Sequence, residues 1–312
     1  MKAPAITAIG PLAGERPPLE VVELPDPTPA PGEVLLRVRA CGVCHTELDE
    51  IEGRTPPPVL PVVPGHQVVG EVAERGAGVR ELSPGDRVGV AWIHSACGTC
   101  PRCREGRENL CPRFRATGRD VHGGYAPLMT VPAAFAHPLP PALSDLEAAP
   151  LLCAGAIGYR SLVLTGLEPG RRLGLTGFGG SGHLVLRLAA HHLPGTEVFV
   201  FARDPQVRRF ARELGATWAG EIGEPPPRPL HAIIDTTPAW RPVVEALACL
   251  APGGRLVINA IRKEAGDRGE LDRLDYARHL WMEKEIKSVA NVTRRDVKEF
   301  LELAGRVPIR PE

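Results

Sequence analysis

The sequence has no net charge: its 37 Lys and Arg balance its 37 Asp and Glu. Nucleic acid and acidic membrane surfaces are both gripped by basic faces, so this balance speaks against either as a partner. It also has no run of about 18 apolar residues, which speaks against a membrane span. The N-terminal stretch MKAPAITAIG has no apolar core of the secretory kind and reads as a strand. No internal repeat is visible. Without an export signal, the 8 cysteines are expected to bind metal or serve catalysis rather than pair as disulfides, and the expected compartment is the cytoplasm.

What is present fits an ordinary globular protein. The length of 312 residues favours two domains, the 43% hydrophobic fraction suffices for real cores, and 34 Pro with 34 Gly indicate many tight turns. Up to residue 140 the apolar runs are short and broken by Pro. Leu19–Val22, Glu33–Val38, Val68–Val72 and Asp86–Val90 read as strands, and Ser83-Pro84-Gly85-Asp86 reads as a turn. The pattern changes near Leu143. Ser144 with Glu147 makes a capping box, and buried strands then alternate with helices as far as Val289. That βαβα alternation predicts an α/β region with a parallel sheet covered on both faces.

Two cysteine groups stand out. Cys44, His66 and Cys153 lie far apart in sequence, yet they offer the thiolate and imidazole ligands that a catalytic zinc needs, three in number with one position left open. Cys97, Cys100, Cys103 and Cys111 lie in one loop at C-x2-C-x2-C-x7-C spacing and can close a tetrahedral structural zinc site. An iron–sulfur cluster would need a closer fourth cysteine. Downstream, Gly177-Phe178-Gly179-Gly180-Ser181-Gly182 follows a predicted strand and opens a predicted helix, the context that makes it a dinucleotide fingerprint. Gly177 permits the tight turn, Gly179 and Gly180 the approach of backbone to pyrophosphate, and Gly182 close packing of helix on sheet. At the end of the next strand, Ala202 fills the place where NAD enzymes carry an acidic residue, and Arg203 follows. That favours NADP(H) over NAD(H), with Asp204 as the rival reading.

Together, Gly42-Val43-Cys44-His45-Thr46, Gly65-His66, the four-cysteine loop, Leu152-Cys153-Ala154-Gly155 and Gly177–Gly182 give a chain that resembles the zinc-dependent alcohol dehydrogenases of the medium-chain dehydrogenase/reductase superfamily. The resemblance implies a GroES-like, mostly-β catalytic domain over residues 1–145, to which 291–312 return, and a Rossmann doubly wound domain over 146–290. It implies two zincs per chain, the catalytic one on Cys44, His66 and Cys153. Thr46 would hydrogen-bond the alcohol oxygen and begin a proton relay, His45 would lie near the cofactor pyrophosphate, and Trp92 would wall the substrate pocket. The implied substrate is an uncharged alcohol or aldehyde, and the implied assembly a homodimer or homotetramer.

Three departures from the family pattern matter. Gln67 follows the zinc histidine where a Glu is usual, so an alternative anionic ligand is missing. Asp49 stands where many relatives have the outer histidine of the relay. Relatives also continue with a helix and strand past the point where this sequence stops, at Pro311-Glu312, so the return segment is expected to be short. Two rival readings share the fold. A quinone or enone reductase would not need the zinc ligands, and a non-catalytic nucleotide-binding member would not turn over alcohol.

Overall fold

The computed structural model describes residues 1–12 and 17–311, so Glu312 of the return segment lies outside the described residues. The chain forms two compact units, Met1–Ala156 with Asn291–Arg306, and Ile157–Ala290 with the residues from Val307 on. The boundary thus falls at 156/157 instead of 145/146, because the helix that starts at Asp145 runs on without a loop to Thr165.

The first unit is mostly β. Strand β1 (Lys2–Ala5) pairs antiparallel with β2 (Glu20–Glu23). There follow β3 (Glu33–Gly42), β4 (Gln67–Arg75), β5 (Arg87–Val90), β6 (Ile93–Ser95), β7 (Arg115–Ala116), β8 (Leu128–Pro132) and β9 (His137–Pro138). Five of them make an antiparallel sheet in the order β8-β3-β4-β5-β9, and β6 pairs with β7. The runs at Glu33–Val38, Val68–Val72 and Asp86–Val90 supply its buried face, with Val34, Leu36, Val68, Val69 and Val88 at 0% exposure, whereas Leu19–Val22 lies at the β1–β2 pair with Val21 exposed. Three short helices decorate this unit: α1 (His45–Ile51), α2 (Pro101–Arg104) and α3 (Asp145–Pro150). The capping box on Ser144 is formed as the sequence predicts.

After α3 the chain makes a π-helical turn, Leu151–Gly155, and continues as α4 (Ala156–Thr165). The whole run Asp145–Thr165 has 21 residues and a mean hydropathy window of 1.3, enough by length and composition to cross a membrane. Asp145, Glu147 and Arg160 interrupt it, so it is not an unbroken apolar run. With 61% of that window buried, the run packs as a core helix does.

The second unit holds β10 (Arg172–Thr176), β11 (Glu197–Phe201), β12 (Trp218–Gly220), β13 (Leu230–Asp235), β14 (Leu250–Ile258) and β15 (Glu285–Ser288). All pair in parallel, in the order β12-β11-β10-β13-β14-β15. Helices α5 (Gly180–His192), α6 (Pro205–Glu213) and α7 (Arg241–Cys249) connect them. One core joins Phe199, Phe201, Leu230, Ile233 and Leu256 of the sheet to Val243 and Leu247 of α7. Each such side chain contributes about 1.5–3 kcal/mol when fully buried, which explains why these strands read as continuous apolar runs. Strand order reverses between β10 and β13, whose last residues, Thr176 and Asp235, are partners in the register. A reversal of that kind opens a crevice at the carboxyl ends of the strands. Finally α8 (Arg294–Ala304), capped by Thr293 and Asp296, returns to the first unit.

Candidate functional site

Strand register builds the first site. β3 and β4 are antiparallel neighbours, and Gly42, the last residue of β3, pairs with Gln67, the first of β4. Cys44 lies two residues past one strand end and His66 one residue before the other, so the sheet delivers both to one place. Glycine at 42 leaves room for the Gln67 side chain, whose Oε1 would stand 2.4 Å from a Cβ there. Gly65 turns the chain at φ +99, a left-handed conformation that disfavours a side chain. Cys153 comes from the π-helical turn, which packs so closely on α8 that a Cβ at Gly155 would meet Phe300 at 2.5 Å. The three ligand atoms lie within 4.8 Å of one another. Cys44 Sγ and His66 Nε2 are 3.6 Å apart.

Cys44 is also the N-cap of α1. Its sulfur accepts the Thr46 N–H at 3.3 Å, and its own N–H donates to Glu47 Oε2 at 2.9 Å. The other Glu47 oxygen lies 2.5 Å from His66 Nδ1, with both side chains buried. One carboxylate thus fixes two candidate ligands. It holds the imidazole with Nε2 toward the sulfurs, the usual carboxylate–histidine arrangement behind a metal.

Hydrogen bonding from the Cys153 thiol pulls Cys44 down to about 3; burial opposes this and His66 assists it. The Cys44 thiolate and burial in turn push Cys153 well above its ordinary value. Burial works against a charged His66, but the Cys44 and Glu47 anions outweigh it and raise the ring to about 10. The donor set fits Zn²⁺: two sulfurs and one imidazole converge, one sulfur already anionic, and two protons remain to be released on metal uptake.

The second group is local. Cys97, Cys100, Cys103 and Cys111 place their sulfurs within 4.8 Å of one another, and all eight cysteines of the chain are free thiols. Backbone N–H groups serve them: Cys100 N donates to Cys97 Sγ at 3.3 Å, Arg113 N to Cys111 Sγ at 3.3 Å and Cys97 N to Cys111 Sγ at 3.4 Å. The amides of Thr99 and Cys100 hold Cys97 down at about 5, while burial and the Cys100 side chain push Cys103 up to about 12. Four sulfurs with no opening suit a structural metal. Buried Glu108 ties this loop to α8 by accepting Arg294 N at 2.9 Å and Nε at 3.0 Å.

In the second unit, β10 ends at Thr176 and the glycine turn follows. Gly177 has φ +79, and a Cβ at Gly182 would press on Gly177 O at 2.9 Å. Nothing lies within 4 Å of a Cβ at Gly179, the N-cap of α5. The turn is therefore closed on the sheet side and open above the helix N-terminus, as a pyrophosphate requires.

Comparison with known proteins agrees with this geometry. Residues 30–141 match the alcohol dehydrogenase GroES-like domain. The "Probable alcohol dehydrogenase AdhA" of Mycobacterium tuberculosis is 48% identical over 294 residues, covering 93% of this chain and 83% of that protein. An alcohol dehydrogenase of Geobacillus stearothermophilus is 34% identical over 302 residues, 94% of this chain and 87% of that one. The chain belongs to the zinc-type medium-chain alcohol dehydrogenase family. Alcohol dehydrogenase and aldehyde reductase activity go with that membership. Among solved structures, the cobalt- and zinc-bound thermostable alcohol dehydrogenase of Pyrobaculum aerophilum is similar at 28% identity and TM-score 0.84, over 98% of this chain and 89% of that one.

Within this alcohol dehydrogenase the remaining predicted residues are placed as follows. His45 is exposed and Thr46 half-buried at the start of α1. Asp49 is buried and bonds Arg54 Nε at 2.5 Å. Trp92 is half-buried, its ring 5.4 Å from that of Phe114 with the Arg119 guanidinium 5.1 Å over it. Ala202 is buried and Arg203 exposed. Asp204 caps α6 by accepting Gln206 N at 2.7 Å. Gln67 is buried and fills the space beside Gly42.

The sequence reading missed two carboxyls. Glu47 could have been found from the box it makes three residues after Cys44. Glu50, 1% exposed, gave no such signal. Neither of its oxygens reaches good hydrogen-bond geometry, and burial raises it to about 8 against the pull of His66, Arg119 and the Trp92 indole.

Proposed function

We propose that this alcohol dehydrogenase is zinc-dependent, carries two zincs per chain, and exchanges a hydride between an uncharged alcohol or aldehyde and NADP(H) in preference to NAD(H). The observation that carries this is the convergence of Cys44, His66 and Cys153 from three distant segments, with Glu47 behind the histidine. A zinc held there supplies a Lewis acid that acidifies a bound alcohol or polarises a carbonyl, and the nicotinamide supplies the hydride acceptor or donor. The chain's own residues do the rest. Glu47 orients His66. Thr46 offers a hydroxyl that accepts the alcohol proton and passes it outward. Asp49, with Arg54 as counter-ion, is the outer end of that relay. His45, exposed on the same helix, is the group for the cofactor pyrophosphate, and Trp92 with Phe114 forms an apolar wall for the substrate.

Cofactor choice rests on the end of β11. Ala202 offers no acceptor to a ribose hydroxyl. Asp204 is committed to capping α6. Arg203 remains as an exposed cation, and Arg208 adds a second by donating to the carbonyls of Ala202 at 2.7 Å and Arg203 at 2.8 Å. A forked cation on a 2′-phosphate is worth about 1.5–3 kcal/mol. Self-association as a dimer or tetramer is supported by β15. It is an edge strand with all four residues exposed, near exposed Tyr276, Trp281 and Met282. The free thiols support a cytoplasmic setting.

The test is steady-state kinetics with NADP(H) and NAD(H) against aldehydes of increasing chain length, in the parent and in Arg203→Ala. A parent preference for NADP(H) that falls about ten- to a hundredfold in the variant supports the reading. A parent that prefers NAD(H), or an unchanged ratio, contradicts it.

A further inference from the structure

Asp235, the last residue of β13, is wholly buried. Its Oδ1 accepts from Thr176 Oγ1 at 2.6 Å and from Thr237 Oγ1 at 2.8 Å. Its Oδ2 accepts from Lys263 Nζ. Lys263 comes from the loop after β14, its side chain only 10% exposed. The same ammonium donates to the carbonyls of Thr237 at 2.8 Å and Ala239 at 3.0 Å, so all three of its N–H groups are used.

Two further ties join the same pair of loops. Glu264 N donates to Pro238 O at 2.8 Å. The Asp267 carboxylate accepts Trp240 N and Arg241 N, each at 2.8 Å, at the start of α7. The loop held this way is the wall against which the glycine turn sits. Thr236 Oγ1 donates to Thr176 O at 3.0 Å, and a Cβ at Gly177 would stand 2.7 Å from Thr236 Oγ1. A buried ion pair is costly to desolvate and a poor device for stability alone. Here its donors and acceptors all point at backbone and side chains that flank the glycine turn.

We propose that Lys263 is a positioning residue for cofactor binding: by tying Asp235, Thr237 and Ala239 together, it holds residues 236–239 against Gly177, so that the glycine turn keeps its binding shape before the dinucleotide arrives. This rests on reading Gly177–Gly182 as the dinucleotide site.

The experiment compares the full chain with Lys263→Met, Lys263→Arg and Asp235→Asn. It measures direct fluorescence titration with NADPH and NADH, hydrogen exchange at residues 177–182, zinc content and thermal midpoint. In Lys263→Met, loss of a charge-assisted clamp should weaken reduced-cofactor binding about tenfold or more and speed exchange at 177–182. Zinc content and kcat at saturating cofactor should stay near the parent's. Lys263→Arg should recover part of the affinity. Asp235→Asn keeps one acceptor oxygen for the threonines but turns an NH2 donor toward the Lys263 ammonium, so it should weaken cofactor binding and speed exchange at 177–182 as Lys263→Met does. It also carries the test if Lys263→Met does not fold. A lower thermal midpoint with unchanged cofactor affinity, in whichever of the variants fold, overturns the proposal. If the parent itself binds neither NADPH nor NADH, the dinucleotide reading fails and takes this inference with it.

Discussion

The two cysteine groups of the first unit are built in opposite ways. Cys97, Cys100, Cys103 and Cys111 belong to one loop, and neighbouring backbone amides serve their sulfurs. Cys44, His66 and Cys153 come from a strand end, a turn and a π-helical bend, and a buried carboxylate orients the histidine. The difference teaches which way dependence runs. A local four-sulfur set can organise its own loop, so its metal contributes to folding. A dispersed set of three exists only once the sheet has formed, and it leaves a position open for chemistry.

The largest expected effect falls on the local set. Cys100→Ser should leave little soluble protein, or a thermal midpoint far below the parent's, because a structural metal contributes folding energy outright. Near-parental melting would erase the contrast. Next, Cys44→Ser should lose turnover by about a thousandfold or more while melting stays close to the parent's, since several kcal/mol of charge stabilisation disappear from the reaction and little from the fold. A collapse of the fold would make the dispersed set structural too.

Smaller effects sharpen the comparison. Thr46→Val should keep its zinc and lose about a hundredfold in kcat near neutral pH, the size expected when a proton carrier is removed; parental rates would take Thr46 out of the mechanism. Glu47→Gln should weaken retention of the catalytic zinc about 10- to 100-fold, as loss of an outer partner does, and leave the four-cysteine site loaded. A chelator titration followed by metal analysis separates the two sites.

The smallest effect concerns Glu50, whose carboxyl is raised from 4.5 to about 8. Below about pH 4.5 it is protonated in folded and unfolded chains alike, and its contribution to stability is fully present. That contribution is lost progressively as pH rises from about 4.5 through about 8. Glu50→Gln should therefore melt like the parent near pH 4.5 and gain on it toward pH 8 and above. Parallel melting curves across that range would show that burial does not hold the proton. A metal on His66 pulls Glu50 down, so the gain should be largest in zinc-depleted protein.

Much of the architecture was legible because it is encoded at short range. The β11 and β13 runs read as buried strands, Gly177–Gly182 announced its turn, and the four-cysteine spacing announced its loop. The boundary near residue 145 was misread because Ser144 starts a helix without ending a unit. Pairings across long separations were not legible. Glu47 reaches His66, Lys263 reaches Asp235 and Arg294 reaches Glu108 only because register and loop packing bring them together. Asp204 could have been read further: an Asp directly before Pro205 is a helix N-cap with proline at N1, which already commits its carboxylate to the helix.

The most direct test of the contrast is zinc stoichiometry, measured by elemental analysis on the parent and on Cys44→Ser purified without added metal. The account predicts two zincs per chain in the parent and one in the variant, with the remaining zinc accompanied by near-parental melting and no turnover. One zinc or none in the parent, or two retained in an active Cys44→Ser, would contradict it.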